Sequence, residues 1–190
     1  SVSANYEVLS SYQFTIIATD DAGHEKSTTY QFTITDINEA PTAIALSSTA
    51  IDENSAGAVI GDLATTDEDI GDSHTYTISG MNADSFEIIN GQLKLKDNIN
   101  PVYQIQSTYS ITVTSTDKGG AAISRDYIVE VNTAPTEFSL NSHSVDENYV
   151  GSQIGTFTVI DANTNDEFTY TISGDGAESF EVVDGQLMVK

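Results

Sequence analysis

Internal repetition is the feature that most constrains this chain. Residues 38–96 overlay on residues 132–190 without a gap. Asp52-Glu53-Asn54 falls on Asp146-Glu147-Asn148, Ile60-Gly61 on Ile154-Gly155, and Tyr76-Thr77-Ile78-Ser79-Gly80 on Tyr170-Thr171-Ile172-Ser173-Gly174. Ser85-Phe86-Glu87 falls on Ser179-Phe180-Glu181, and Gly91-Gln92-Leu93 on Gly185-Gln186-Leu187. The opening segment overlays on the end of the middle one: Tyr12 on Tyr109, Thr19-Asp20 on Thr116-Asp117, Tyr30 on Tyr127. Self-similarity at a fixed spacing marks tandem structural units. The sequence predicts the last two strands of one repeat in residues 1–37, a complete repeat in 38–131, and the first five strands of a third in 132–190. It starts mid-pattern and reads as a piece of something longer.

Period-two alternation supplies the element type. Residues 11–19 alternate, and residues 28–35 set Tyr30, Phe32 and Ile34 on one face against Thr29, Gln31, Thr33 and Thr35 on the other. In the middle repeat, strands are predicted at about 43–51, 57–65, 74–80, 85–89, 92–96, 108–115 and 124–131. Asn90-Gly91 is the strongest short-range signal for a type I′ hairpin. No convincing stretch of helical period occurs. The fold class that follows is all-β, with seven-strand Greek-key, immunoglobulin-like sandwiches in tandem.

Charge and composition exclude several classes. With 29 acids against 6 bases the net charge is -23, which repels nucleic acid and anionic membranes. No apolar run approaches membrane-spanning length, so membrane insertion is not expected. There is no Cys, hence no disulfide framework and no thiolate metal site. A chain of this kind can be stabilised by bound metal instead. His24, His74 and His143 are scattered without ligand spacing and read as surface residues. No phosphate loop and no convincing catalytic set occurs, so the chain does not read as an enzyme.

The acids cluster where the repeats meet. Asp36-Ile37-Asn38-Glu39-Ala40-Pro41 separates two β-rich segments and returns, shortened, as Asn132-Thr133-Ala134-Pro135. Proline removes a backbone donor and holds the preceding residue extended, so Ala-Pro ends one strand and starts another extended run. Asp52-Glu53-Asn54, Asp67-Glu68-Asp69 and Asp117-Lys118-Gly119-Gly120 complete the set. Asp, Asn and Gly are also ordinary turn formers. These four motifs in order, and repeated, resemble the cadherin repeat in its bacterial form, found in large surface and secreted adhesins. The resemblance covers essentially the whole chain. It implies a cadherin-like sandwich, with Ca²⁺ at each joint gathering ligands from the end of one repeat, the linker, and two loops of the next. Ca²⁺ takes about 6–8 oxygens, more than any single short loop here supplies.

On that resemblance the first joint takes its metal ligands from Glu7, Asp36, Asn38, Glu39, Asp67, Asp69 and Asp117. Its two-acid motif is Asn5-Tyr6-Glu7, with one acid lost. The second joint keeps Glu53, Asn132, Asp161 and Asn163. Both acids of its motif are gone at Val102-Tyr103-Gln104, and its shorter linker has no counterpart of Asp36, so weaker binding is expected. Asp20 would serve a joint shared with a complementing repeat.

The implied function is a calcium-stiffened structural or adhesive module of a long cell-surface or secreted protein. The alternative is a polysaccharide-binding module, which an exposed aromatic platform on a strand face would favour. Tyr6, Tyr103 and Tyr149 are candidates for such a surface or for packing at the joints. The partners expected are neighbouring repeats and a second copy of the chain, the hairpin of residues 11–35 completing the open sandwich of residues 136–190.

Overall fold

The computed structural model describes residues 4–147 and 150–190. It is all-β: among the described residues the only helical pieces are two 3₁₀ turns, Ala83–Ser85 and Ala177–Ser179. Contacts divide the chain into two units. One runs through Ile51 and includes Ser55–Asn100 and Thr108–Glu130; the other holds Asp52–Asn54, Pro101–Ser107 and Val131–Lys190.

The first unit opens with a hairpin, β1 (Ser11–Thr19) and β2 (Glu25–Thr33), paired from Ser11↔Thr33 to Thr19↔Glu25. The second strand lies a few residues earlier than the predicted 28–35. The turn sets this: Asp20 Oδ1 accepts the N–H groups of Ala22 at 3.0 Å and His24 at 2.8 Å, so pairing resumes at once at Glu25. An Asx turn of this kind substitutes a side-chain acceptor for a backbone one.

The rest of the unit holds β3 (Ala43–Leu46), β4 (Ala50–Asp52), β5 (Val59–Thr66), β6 (Thr75–Ser79), β7 (Phe86–Ile89), β8 (Gln92–Leu95), β9 (Thr108–Thr116) and β10 (Ala122–Asn132). They form two four-stranded sheets, β3-β5-β8-β7 and β4-β10-β9-β6. The single strand expected at 43–51 is divided, because its two halves join different sheets, a recognised way of turning a sandwich corner. Ser47 makes the corner against β5: its N–H donates to Asp62 O at 3.0 Å, and its hydroxyl accepts the Asp62 N–H at 2.9 Å. A Cβ on Gly61 would meet Ser47 Oγ at 2.7 Å and Ser48 N at 2.8 Å. The Ile-Gly pair therefore recurs in the sequence because the chain crosses directly over it.

Alternation along β9 drives the core. Tyr109, Ile111, Val113 and Ser115 are buried, and so are Ile44, Ile60, Phe86, Leu93, Leu95 and Val129. Each large apolar side chain so buried contributes about 1.5–3 kcal/mol. Ser115 is tolerated at 0% exposure because its hydroxyl bonds Thr65 Oγ1 at 2.7 Å, which also bonds the Tyr76 hydroxyl at 2.9 Å. The Tyr127 hydroxyl donates to Ile44 O at 2.9 Å, tying β10 to β3. Asn90 and Gly91 sit at φ 52 and 77, the expected type I′ turn.

The second unit carries β11 (Glu137–Leu140), β12 (Gln153–Ile160), β13 (Phe180–Val183) and β14 (Gln186–Val189) in one sheet, β11-β12-β14-β13. This repeats β3-β5-β8-β7, down to the bulge before Gly155 and the Asp184-Gly185 turn at φ 48 and 73. Five strands were expected here and four form. Residues 168–173, the counterpart of β6, join no ladder. In the complete sandwich β6 pairs with β9, and no counterpart of β9 lies between residue 132 and residue 190. Asn148 and Tyr149 lie outside the described residues.

Candidate metal centre

The first linker leaves β2 extended and passes between two loops. A carboxylate oxygen from each of Glu7, Asp36, Glu39 and Asp69 lies within 4.8 Å of the other three. Glu7 is presented by a turn that Asn5 closes, its Oδ1 accepting the Val8 N–H at 2.8 Å. Asp69 lies in the loop after β5 and is reached by the linker: the Glu39 N–H donates to Asp69 Oδ2 at 3.0 Å. The Asp69 N–H in turn donates to Asp67 Oδ1 at 3.2 Å.

Asn38 anchors the other side. Its Nδ2 donates to Asp117 Oδ2 at 2.9 Å and to Glu39 O at 2.8 Å. Asp117 is buried and accepts the Ala121 N–H at 2.8 Å on its second oxygen. The Asn38 hydrogen bond, followed by these backbone N–H groups, holds Asp117 below the ordinary Asp range. A Cβ on Gly119 would fall on the Asn38 carboxamide, so this glycine makes the linker's seat.

Two oxygens in this centre, Glu39 Oε2 and Asp69 Oδ1, are buried with no hydrogen-bond partner. Glu39 is pushed above the ordinary Glu range, first by removal from water and then by the negative charges of Asp69 and Glu7. Clustered carboxylates with orphaned acceptor oxygens are the donor set of a hard cation, and they fit Ca²⁺. The centre thus brings together Glu7, Asp36, Glu39 and Asp69, with Asp67, Asn38 and Asp117 behind them.

His74 was missed. Read from sequence as a surface residue, its side chain is 12% exposed and its Nε2 lies 2.9 Å from Asp67 Oδ2. That hydrogen bond is the first cause of the lowered Asp67 pKa. Nothing in the local spacing signals it; the fold brings the start of β6 under the loop. His24 and His143 are exposed, as expected. Asp20 spends its carboxylate on its own turn, and the His24 N–H, the largest of several such bonds, holds it below the usual range.

In the second unit the same motifs make different contacts. The Thr133 N–H donates to Asn163 Oδ1 at 2.9 Å, and Thr133 Oγ1 donates to Glu53 Oε1 at 2.9 Å. Asn163 Nδ2 donates to Val131 O at 2.9 Å, and Asn132 Nδ2 to Asp52 Oδ1 at 3.2 Å. Asp161 Oδ1 accepts the Asn163 N–H at 2.9 Å, while its buried Oδ2 has no partner. The Tyr103 hydroxyl donates to Ala162 O at 3.2 Å, so this tyrosine serves the joint. Among the described residues no three acidic or histidine side chains converge here as the four do in the first unit.

Comparison with solved structures bears on the fold. The chain resembles protocadherin gamma-B7 extracellular cadherin domains 1–4 at TM-score 0.56 and 20% identity, over 98% of this chain and 50% of that one. It resembles mouse cadherin-23 EC22–24 at TM-score 0.52 and 21% identity, over 99% of this chain and 66% of that one. The fold is that of cadherin extracellular domains. In sequence the chain is similar to human Protocadherin Fat 1, 29% identical over 200 residues and 94% of this chain. It is also similar to human Protocadherin Fat 4, 30% identical over 184 residues and 88% of this chain. It spans 4% of the length of each of these relatives. No family model matches it.

Proposed function

We propose that this chain is a calcium-stiffened structural or adhesive module of a long extracellular protein, secreted or at the cell surface, of the bacterial form its motifs resemble. It comprises one complete repeat, residues 38–131, between two partial ones, 1–37 and 132–190. The observation that carries the reading is the four-carboxylate centre with its two orphaned oxygens. Bound Ca²⁺ supplies the positive charge that lets these acids coexist. Glu7, Asp36, Glu39 and Asp69 would hold it, with Asn38, Asp67 and Asp117 fixing the linker and loops. Because the ligands come from the turn before β1, the linker and the loop after β5, binding couples metal to the order of all three. Catalysis is no part of this reading. Calorimetric titration of chelator-treated protein tests it: heat saturating with Ca²⁺ and lost in Asp36→Ala supports the reading, and no heat overturns it.

The polysaccharide reading rests on exposed aromatics, and the structure has them. Phe14 and Phe32 stack at 5.1 Å, and Phe138, Phe157 and Tyr170 stack in the second unit at 5.0 to 6.0 Å. Their repeat counterparts are core residues or neighbours of the core: Ile111 and Val129 for the first pair, Ile44, Leu63 and Tyr76 for the second set. Ile111 is 1% exposed where Phe14 is 45% exposed. By their position in the repeat these faces correspond to sandwich interiors. The proposed partner is a second copy, with β1–β2 of one molecule taking the place of β9–β10 over β11–β14 of another. Completion of an open sheet by a strand pair from a partner is an established recognition mode.

A further inference from the structure

We infer that the second joint is closed by hydrogen bonds from uncharged side chains in place of Ca²⁺, so that only one of the two joints in this chain responds to the metal. The inference rests on the calcium reading of the first joint. Every one of the four carboxylates that converge there has lost its charge at the second. Glu7 becomes Gln104, Glu39 becomes Thr133, Asp69 becomes Asn163, and Asp36 has no counterpart.

The geometry survives the loss of charge. The Glu39 N–H to Asp69 bond of 3.0 Å reappears as the Thr133 N–H to Asn163 bond of 2.9 Å. The neutral residues then make bonds that acids cannot. A carboxylate has no donor, whereas Asn163 Nδ2 donates to Val131 O and Thr133 Oγ1 donates to Glu53. The carboxamide thus joins loop to linker from both of its ends, and the hydroxyl joins the linker to the Glu53 segment. Where the first joint leaves Glu39 Oε2 of the linker and Asp69 Oδ1 of the loop orphaned, Thr133 and Asn163 here are hydrogen-bonded. Thr133 is buried at 9% exposure, so these bonds are largely shielded from water.

Among the described residues of this joint one buried side-chain acceptor is left without a partner. Asp161 Oδ2 is buried without a partner because Phe168 stands where His74 caps Asp67. One buried carboxylate oxygen is not the four-carboxylate cluster of the first joint, and Ca²⁺ takes roughly 6–8 oxygens.

Hydrogen exchange of residues 1–190, with Ca²⁺ and with chelator, tests this through two homologous amides. Chelation should speed exchange in the peptide covering 36–42 by about tenfold or more and leave that covering 131–136 within about twofold. Asn163→Ala should speed exchange at 131–136 equally in both conditions. The double substitution Thr133→Glu with Asn163→Asp should make that segment depend on Ca²⁺. A wild-type 131–136 segment that loses protection in chelator overturns the inference. If 36–42 fails to respond while 131–136 stays protected and is loosened by Asn163→Ala, the calcium reading falls and the hydrogen-bonded joint stands.

Discussion

The Asn38 carboxamide donates to the Asp117 carboxylate at 2.9 Å across 79 residues of sequence, and it does so over the bare Cα of Gly119. Gly119 serves by having no side chain. Gly119→Ala should displace Asn38, cost about 1–3 kcal/mol as an overpacking change, and weaken Ca²⁺ binding at the same centre. In Asn38→Ala the same glycine substitution should cost much less. A double-mutant cycle by urea denaturation measures the difference; additive costs would refute the seat.

Calcium should raise the melting temperature and chelator should lower it. Extracellular sites bind with dissociation constants of about 10⁻⁴–10⁻³ M. A site saturated at about 100 times its dissociation constant stabilises by about 2.7 kcal/mol. Scanning calorimetry should show the shift, with Asp36→Ala abolishing most of it and Asn132→Ala little. Identical curves with and without chelator would remove the metal from the account.

Calcium uptake should expel a proton in mildly acid solution. Glu39 lies above its ordinary range, so as pH falls it takes up a proton earlier than a free Glu does, and cation binding must displace that proton. The released heat should depend on the buffer's ionisation enthalpy in mildly acid solution, and that dependence should fade as pH rises. The acids held low behave in the opposite sense. Asp67 and Asp117 bind protons less readily folded than unfolded, so their contribution is present above the ordinary Asp range. It is lost as pH falls through their lowered values. His74→Phe removes the first cause of the Asp67 shift, so the chelated variant should begin to lose stability at higher pH.

Ile111→Ala and Phe14→Ala test what is covered. Ile111 is a fully packed core residue, and its truncation should cost about 2–5 kcal/mol at any protein concentration. Phe14→Ala should cost little in dilute protein, and more only where copies associate. Sedimentation should show association that Phe14→Asp abolishes. A strictly monomeric wild type at high concentration would end the strand-complementation reading, and retention on a polysaccharide matrix lost in Phe14→Asp would favour sugar instead.

The sequence by itself determined the strands, the order of the motifs and their repetition. These are local or periodic properties: alternation in β9, Asn90-Gly91 at a left-handed turn, and acids beside Ala-Pro need no knowledge of distant residues. The acids that converge beside the first linker were likewise legible, because each lies within a short motif. Only the tertiary structure decided three things. It divided residues 43–51 between two sheets, since the choice of sheet depends on which partner waits on either side of Gly61. It left residues 168–173 out of any ladder, because a strand exists only where a neighbour accepts its hydrogen bonds. And it brought His74 under Asp67, and Thr133 onto both Asn163 and Glu53. Hydrogen bonds between loops far apart in sequence carry no spacing of their own, so the difference between a centre with orphaned oxygens and one with satisfied donors appears only when the chain is folded.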